Sequence, residues 1–76
     1  KVSILNILIM AKIQLNGRKL ELNKKYSIFT LLKKYKIISK KIAVEVNGKI
    51  VNKNQYNSFY LKNKDKIEIV HFIGGG

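Results

Sequence analysis

The sequence ends in three glycines, Gly74 to Gly76, and these are the residues best suited to present a reactive group. Glycine lacks a Cβ, so a glycine segment is thin and adopts extended or positive-φ backbone without steric cost. A flexible tail of this kind can enter a narrow channel in a partner protein and offer only its terminal carboxylate. The sequence therefore predicts the carboxylate of Gly76 as the reacting group, with Gly74 and Gly75 as its tail.

Other kinds of active site are excluded by composition. The chain has no cysteine and a single histidine, His71. Disulfides, thiolate metal sites and a catalytic thiol are therefore excluded, and one histidine cannot build a metal site alone. The sequence also has no G-x-x-x-x-G-K phosphate loop and no Ser-His-Asp arrangement. We expect a carrier or substrate rather than an enzyme, with no metal and no bound cofactor.

Alternating apolar residues around two Asn-Gly pairs predict two β-hairpins. Asn-Gly is the strongest short signal for a type I′ turn, which needs positive φ at both central residues. These pairs are Asn16-Gly17 and Asn47-Gly48, and a further alternating run leads into the glycines. The predicted strands are residues 12–15, 18–23, 42–46, 50–51 and 66–72.

One amphipathic helix is predicted between the hairpins, at about residues 27–35, with Ser27 as its N-cap. Its apolar face is formed by Ile28, Leu31, Leu32 and Tyr35. A polar connection follows the second hairpin, with a short helical turn near residues 54–56. We expect three of its side chains to fill the core: Tyr56, Phe59 and Leu61. The order of elements indicates an α+β domain, a small mixed sheet packed on one helix.

The chain length of 76 residues allows one small domain. Its first ten residues are apolar, but a membrane span needs about 20 such residues. Met10 looks like an ordinary start of translation. We therefore predict an N-terminal extension outside the fold at 1–10, a folded domain at 11–73 and a flexible tail at 74–76. In the alternative, residues 1–9 add to the first strand.

The chain is strongly basic, with 16 Lys and Arg against 4 Asp and Glu and a net charge of +12. Such a charge can indicate nucleic acid or an anionic membrane as partner. Arginine is the usual residue for specific phosphate contacts, yet only Arg18 is present. The abundance of Lys, Asn, Ile and Tyr matches the amino acids that AT-rich codons encode. We attribute the charge to composition and expect neither membrane nor nucleic acid as partner.

An aspartate, an alternating strand, Phe-Ile and terminal glycines together resemble the carboxyl end of the ThiS family. These proteins are the ubiquitin-like sulfur carriers of thiamin biosynthesis. The residues that carry the resemblance are Asp65, Ile67, Glu68, Ile69, Val70, Phe72, Ile73, Gly75 and Gly76. The resemblance covers roughly residues 11–76 and implies the β-grasp (ubiquitin-like) fold, with the last strand central in the sheet. The tail would then leave the domain from a rigid strand.

The resemblance also implies a mechanism at Gly76. A ThiF-like adenylating enzyme, using its own ATP and Mg²⁺, would convert the terminal carboxylate into an acyl-adenylate. A sulfur donor would then displace AMP and leave a thiocarboxylate, from which thiazole synthase takes the sulfur. Docking is expected on the sheet face near the tail, with Phe72 and Ile73 as anchors, because buried aromatic residues dominate interface energies. A core role for Phe72 is the alternative.

Alternative functions of two classes remain open from the sequence alone. Within the same class, the chain could serve molybdopterin synthesis or tRNA thiolation, or act as a ubiquitin-like modifier of lysines. In a different class, it could be a basic RNA-binding module. The expected compartment is the cytoplasm, or the plastid stroma if a plastid genome encodes the chain.

Overall fold

The computed structural model describes residues 10–37 and 41–72. In chain order the strands are β1 (Ala11–Leu15), β2 (Arg18–Leu22), β3 (Ile42–Val46), β4 (Lys49–Val51) and β5 (Lys66–His71). Helix α1 (Ile28–Lys34) lies between β2 and β3, and one 3₁₀ turn (Lys53–Gln55) lies between β4 and β5. Every predicted element is therefore present, with ends that differ by one or two residues.

The strands form one five-stranded mixed sheet in the order β2-β1-β5-β3-β4. Strand β5 is parallel to β1 and antiparallel to β3, and both outer pairs are antiparallel hairpins. Strand β5 is therefore central, as the family resemblance implied. A mixed sheet with a single helix matches the predicted α+β class.

Helix α1 and one face of the sheet share a single aliphatic core. Its most completely buried side chains are Ile28, Leu31, Val44 and Ile67. Burying an aliphatic side chain of this size stabilises a fold by about 1.5–3 kcal/mol. Alternate positions along each strand supply the core, because successive strand residues point to opposite faces. We call the face of the sheet that shares this core with α1 the covered face, and the opposite face the open face.

The ends of α1 confirm the predicted cap and explain one wrong assignment. Ser27 Oγ accepts the N–H of Thr30 at 3.1 Å, so Ser27 is the N-cap. At the other end the backbone of Lys36 has φ +56°, and the N–H of Ile37 donates to the carbonyl of Leu32 at 2.8 Å. This is a Schellman end. Tyr35, predicted on the buried face, is the C-cap residue and is 41% exposed, because the helical path ends there.

The connection after β4 fills the core largely as predicted. Tyr56 and Leu61 are buried, while Phe59 is partly buried and packs against the core cluster. Loop residues thus close the end of the core that a helix of seven residues leaves uncovered.

The limits of the described chain decide which domain predictions can be compared with it. The N–H of Met10 donates to the carbonyl of Leu22 at 2.7 Å, so hairpin bonding begins one residue before Ala11. The predictions for residues 1–9 and for Ile73 and the glycine tail lie outside the described residues. Over residues 10–37 and 41–72, no helix has the length and apolar character that crossing a membrane requires.

Candidate functional site

Strand β5 is the element that leads to the predicted tail, and strands on both sides hold it. Its pairing with β1 covers two residues, while its pairing with β3 runs from Val46 opposite Ile67 to Ile42 opposite His71. The ladder continues past the strand, since the N–H of Phe72 donates to the carbonyl of Lys41 at 2.8 Å. The backbone is therefore held in the sheet up to the last described residue. The roles assigned to Gly74, Gly75 and Gly76 stay predictions.

The first Asn-Gly turn contributes a side chain to this ladder. Asn16 has φ +49° and Gly17 φ +82°, which confirms the predicted turn geometry. The N–H of Asn16 donates to the carbonyl of Ile67 at 2.8 Å, and Asn16 Oδ1 accepts the N–H of Ile69 at 2.7 Å. A parallel ladder would place a backbone carbonyl there. The amide oxygen takes its place where the turn directs the backbone away.

The second Asn-Gly turn does the same on the other side of β5. The N–H of Asn47 donates to the carbonyl of Lys66 at 2.8 Å, and Asn47 Oδ1 accepts the N–H of Lys66 at 2.9 Å. Asn47 Nδ2 then donates to Asp65 Oδ1 at 3.0 Å, while Asp65 Oδ2 accepts the N–H of Lys62 at 2.8 Å. Asp65 is buried, and these bonds satisfy its carboxylate. The asparagine side chains of both turns therefore extend the hydrogen bonding of β5, the strand that leads to the tail.

This use of the two asparagines was not predicted from the sequence, where they served only as turn residues. Asparagine is already favoured at the first position of a type I′ turn, so the Asn-Gly pairs carry no separate sign of this second role. Asp65, a carboxylate just before a strand rich in apolar residues, is the one polar signal near the start of β5.

Phe72 is 54% exposed, which rules out the core role that the sequence had left open. Residues 68, 70 and 72 alternate with the buried Ile67 and Ile69 and so belong to the open face. Val70 on β5 is 45% exposed and Ile50 on β4 is 73% exposed. Exposed apolar side chains thus lie at the tail end of β5 and on β4, where Ile50 is opposite Glu45 of β3. The docking roles of Phe72 and Ile73 remain predictions, and Ile73 lies outside the described residues.

Charge divides the open face into two parts. Over β1 and β2, one depression is lined by four lysines, Lys12, Lys19, Lys64 and Lys66, together with Gln14 and two acids. Over β3 and β5, a second shallow depression is lined by Glu45, Asn47, Gly48, Lys66, Glu68 and Val70. The half nearest the tail is therefore apolar and acidic, whereas the other half is mainly basic.

The resolved pKa shifts concern groups away from β5. The hydroxyl of Tyr26 accepts a hydrogen bond from Lys34 Nζ at 3.1 Å and raises the pKa of this lysine. Burial raises the pKa of Tyr56, against a smaller lowering by a hydrogen bond with the backbone of Val44. Among residues 10–37 and 41–72, no group of three His, Cys, Asp or Glu side chains could hold a metal ion.

Comparisons with known proteins place this geometry in a family. A sequence model of the ThiS family matches residues 7–76. The sulfur carrier protein ThiS of Bacillus subtilis (strain 168) is 42% identical over 65 residues, which cover 84% of this chain and 98% of that protein. A thiazole synthase of Paramagnetospirillum magneticum is 38% identical over 65 residues, covering 86% of this chain but 20% of the synthase.

A solved structure shows the same fold. The crystal structure of the thiamine biosynthesis protein ThiS from Geobacter metallireducens superimposes with a TM-score of 0.74 at 24% identity. The match covers 86% of this chain and 99% of that one. The sheet described above is therefore a β-grasp sheet, as predicted. The chain belongs to the ThiS family and is a small sulfur carrier protein of thiamin thiazole synthesis.

Proposed function

We propose that this chain carries sulfur as a thiocarboxylate on Gly76 and delivers it to a thiazole synthase. The observation that carries the proposal is the family match, which runs through the glycine tail to residue 76. The fold supports it, because the ladder from Ile67 to Phe72 gives the tail a fixed starting point. The carrier itself supplies no catalytic group to the reaction.

The chemistry we propose is acyl activation at one terminal carboxylate. A ThiF-like enzyme transfers AMP from Mg²⁺-bound ATP to the Gly76 carboxylate and releases pyrophosphate. The terminal sulfur of a persulfide donor attacks the carbonyl carbon and displaces AMP. A thiol then cleaves the resulting acyl persulfide, releasing the thiocarboxylate and a disulfide. ATP and Mg²⁺ are held by the partner enzyme, and this chain binds neither.

A thiazole synthase is proposed as the partner that receives the sulfur. The support is that a segment of the Paramagnetospirillum magneticum thiazole synthase is similar to this chain. A carrier joined to a synthase in one polypeptide has a high effective concentration at its active site. A separate carrier must instead bind through its own surface, so this chain needs a docking face.

Tail length limits how far a partner's reactive centre can lie from that face. With Gly76 as the proposed terminal residue, the tail after Phe72 consists of four residues. An extended chain spans at most about 3.3–3.6 Å per residue, so the carboxylate of Gly76 reaches roughly 13–14 Å beyond Phe72. Contact around Phe72 and Ile73 would therefore place the carboxylate at a defined depth in the partner. We propose this surface for docking to both the adenylating enzyme and the synthase.

The test of the proposed function is thiocarboxylate formation in vitro. The full chain is incubated with the ThiF-like enzyme of the same organism, ATP, Mg²⁺ and a sulfur source. Mass spectrometry should show one oxygen-to-sulfur exchange, and fragmentation should place it at Gly76. An unmodified terminus with an enzyme that is active on another carrier would contradict the proposal.

Matched tail variants make the test specific for position. Deleting Gly76 or adding one residue after it should block the exchange while the fold is retained, because a misplacement of about 1 Å can cost a hundredfold in rate. Replacing Gly75 with a bulky residue should act similarly, since its side chain would meet the channel walls. Full thiocarboxylate formation on the extended chain, without trimming, would refute Gly76 as the site.

The compartment is proposed from composition alone. A chain rich in Lys, Asn and Ile fits an AT-rich genome, so the carrier would act in the cytoplasm or, if plastid-encoded, in the stroma. Localising the tagged full-length protein by microscopy would separate the two.

A further inference from the structure

The distribution of acidic residues is the feature that goes beyond the proposed function. The chain contains four acidic residues against 16 Lys and Arg. Asp65 is buried and hydrogen-bonded to the Asn47 turn. Glu21 lies opposite Lys12 in the register of β1 and β2. These two carboxylates therefore have a structural partner or an opposite charge beside them.

The remaining two acids face each other. In the register of β3 and β5, Glu45 is directly opposite Glu68, and both side chains belong to the open face. Residues directly opposite in an antiparallel pair have Cβ atoms about 4.5–5.5 Å apart, and like charges there are destabilising. In so basic a chain, this pairing of half the acids works against the stability of the isolated domain.

The surroundings of the pair relieve this repulsion only in part. Lys66, two residues before Glu68 on the same face, lines the same depression and is the nearby cation among its lining residues. Asn47 and Gly48 also line the depression, and the apolar neighbours are Ile50 on β4, directly opposite Glu45, and Val70 on β5. A second cation brought in by a partner would be attracted by both carboxylates in partly apolar surroundings.

The pair also has a fixed place relative to the tail. From the tail end inward, the open face carries Phe72, then Val70 opposite Ala43, then Glu68 opposite Glu45. Each step is two strand residues, or about 7 Å. An apolar patch therefore lies between the tail and the acidic pair, so a partner that contacts both is oriented with its active site at the tail end.

We propose that the open face over β3 and β5 binds a partner surface that combines an apolar pocket with an arginine side chain, and that Glu45 and Glu68 together select this arginine. The partner is the ThiF-like adenylating enzyme, so the inference rests on the proposed function. An arginine guanidinium has a planar fork of donors that can bond two carboxylates, and it is less strongly hydrated than an ammonium. Binding replaces the repulsion of the free carrier with two attractive contacts.

Suppose instead that binding depended only on general attraction between oppositely charged proteins. Neutralising the glutamates would then not weaken the binding. The carrier has a net charge of +12, and neutralising one or two glutamates raises this to +13 or +14. Long-range steering toward an acidic partner would then stay the same or improve. Local recognition of an arginine predicts weaker binding instead. The sign of the change in affinity therefore separates the two explanations.

The experiment compares Glu45→Gln, Glu68→Gln and the double variant with Glu21→Gln as the matched control. Glu21→Gln makes the same charge change on the same sheet, but at a position that faces Lys12. For each full chain, KM for thiocarboxylate formation by the adenylating enzyme of the same organism is measured, together with Kd by calorimetry. The double variant should raise both by roughly tenfold or more, since losing close charge contacts typically costs at least that. Glu21→Gln should leave both within about twofold.

Two further readouts exclude unfolding and general charge effects. Removing a facing pair of like charges should leave the denaturation midpoint of the double variant equal to or above that of the wild type. The affinity gap between wild type and double variant should narrow as salt increases.

The possible results separate this inference from the proposed function. If the wild type gains sulfur at Gly76 but the double variant has the KM and Kd of Glu21→Gln, the recognition of arginine is overturned and the carrier function stands. If the wild type gains no sulfur at Gly76, the proposed function is overturned, and the inference with it.

Discussion

The two faces of the same sheet differ in what their side chains are selected to do. The buried positions of the covered face are aliphatic, and Val44 and Ile67 share one core cluster with Leu31 of α1. The open face is varied, with lysines over β1 and β2 and an apolar and acidic strip over β3 and β5. Exposed positions can be substituted at little cost in stability, whereas core positions cannot. Substitutions on the open face are therefore compatible with a stable fold, whereas the buried positions of the covered face must stay apolar.

Lysines in α1 and just before it have partners within the chain, so the high charge need not indicate nucleic acid. Ammonium groups of Lys25 and Lys33 lie 5.0 Å and 5.9 Å from the ring centres of Tyr60 and Phe29. Lysines beside rings at such distances make cation–π contacts within the chain. RNA-binding domains more often present aromatic residues on an open sheet face for base stacking. The family match decides for a sulfur carrier, and the RNA-binding alternative is set aside.

The largest difference in stability should appear between one side chain shortened in the core that lies under the covered face and one shortened on the open face. Leu31 is fully buried, and Leu31→Ala should lower the free energy of unfolding by about 2–5 kcal/mol, as cavity-forming changes do. Ile50 is 73% exposed. Ile50→Ala should change stability by no more than about 0.5 kcal/mol. Urea denaturation of both variants measures the difference, and equal losses would remove the basis of the comparison.

A smaller effect is expected where the turn side chains support β5. Asn47→Gly keeps the positive φ but removes the acceptor for the Lys66 N–H and the donor to Asp65. Leaving such groups without partners costs about 1–3 kcal/mol. Asn52→Gly is the matched control, because Asn52 makes no side-chain capping bond at the 3₁₀ turn.

Denaturant midpoints of the two asparagine variants test this support directly. If both lose the same stability, the ladder bonds of Asn47 contribute nothing beyond the general cost of a new glycine. Hydrogen exchange of the Lys66 amide should also be faster in Asn47→Gly than in wild type, because its acceptor is gone.

On the open face, truncation should affect binding rather than stability. Phe72 is half-exposed, so Phe72→Ala should change the free energy of unfolding by no more than about 0.5 kcal/mol. As an interface anchor, the same change should weaken binding to the adenylating enzyme by more than about 1 kcal/mol. Calorimetric titration of the folded variant measures this. An unaltered affinity would remove Phe72 from the docking surface.

Local structure was predictable because its signals are local. Asn-Gly pairs indicated both hairpins, and Ser27 followed by apolar residues at helical spacing indicated α1. Only the end of the helix was misjudged at Tyr35, where helical spacing continues in the sequence after the helix has ended. Chain reversal at Lys36 depends on a positive φ that lysine seldom adopts, so nothing in the sequence signalled it.

The long-range features could not be predicted from periodicity. The side chain of Asn16 bonds the Ile69 amide across 53 residues of sequence, and Glu45 faces Glu68 only because of the register of β3 on β5. Alternation shows which face a residue occupies but not which residue lies beside it. The central position of β5 was expected only from the family resemblance. Gly76 lies outside the described residues, so its role still rests on sequence and family.

The smallest effect concerns Tyr56, a buried loop residue that fills the core beside the covered face. Burial raises its pKa above the ordinary value of 10.0, so the folded state holds this proton more tightly than the unfolded state does. Its contribution to stability is therefore complete below pH 10 and is lost as pH rises through the raised pKa. Tyr56→Phe should reduce the fall in stability above pH 10, measured by urea melts at closely spaced pH values. A fall in stability above pH 10 that is as steep in Tyr56→Phe as in the wild type would mean that burial of the Tyr56 phenol does not contribute to it.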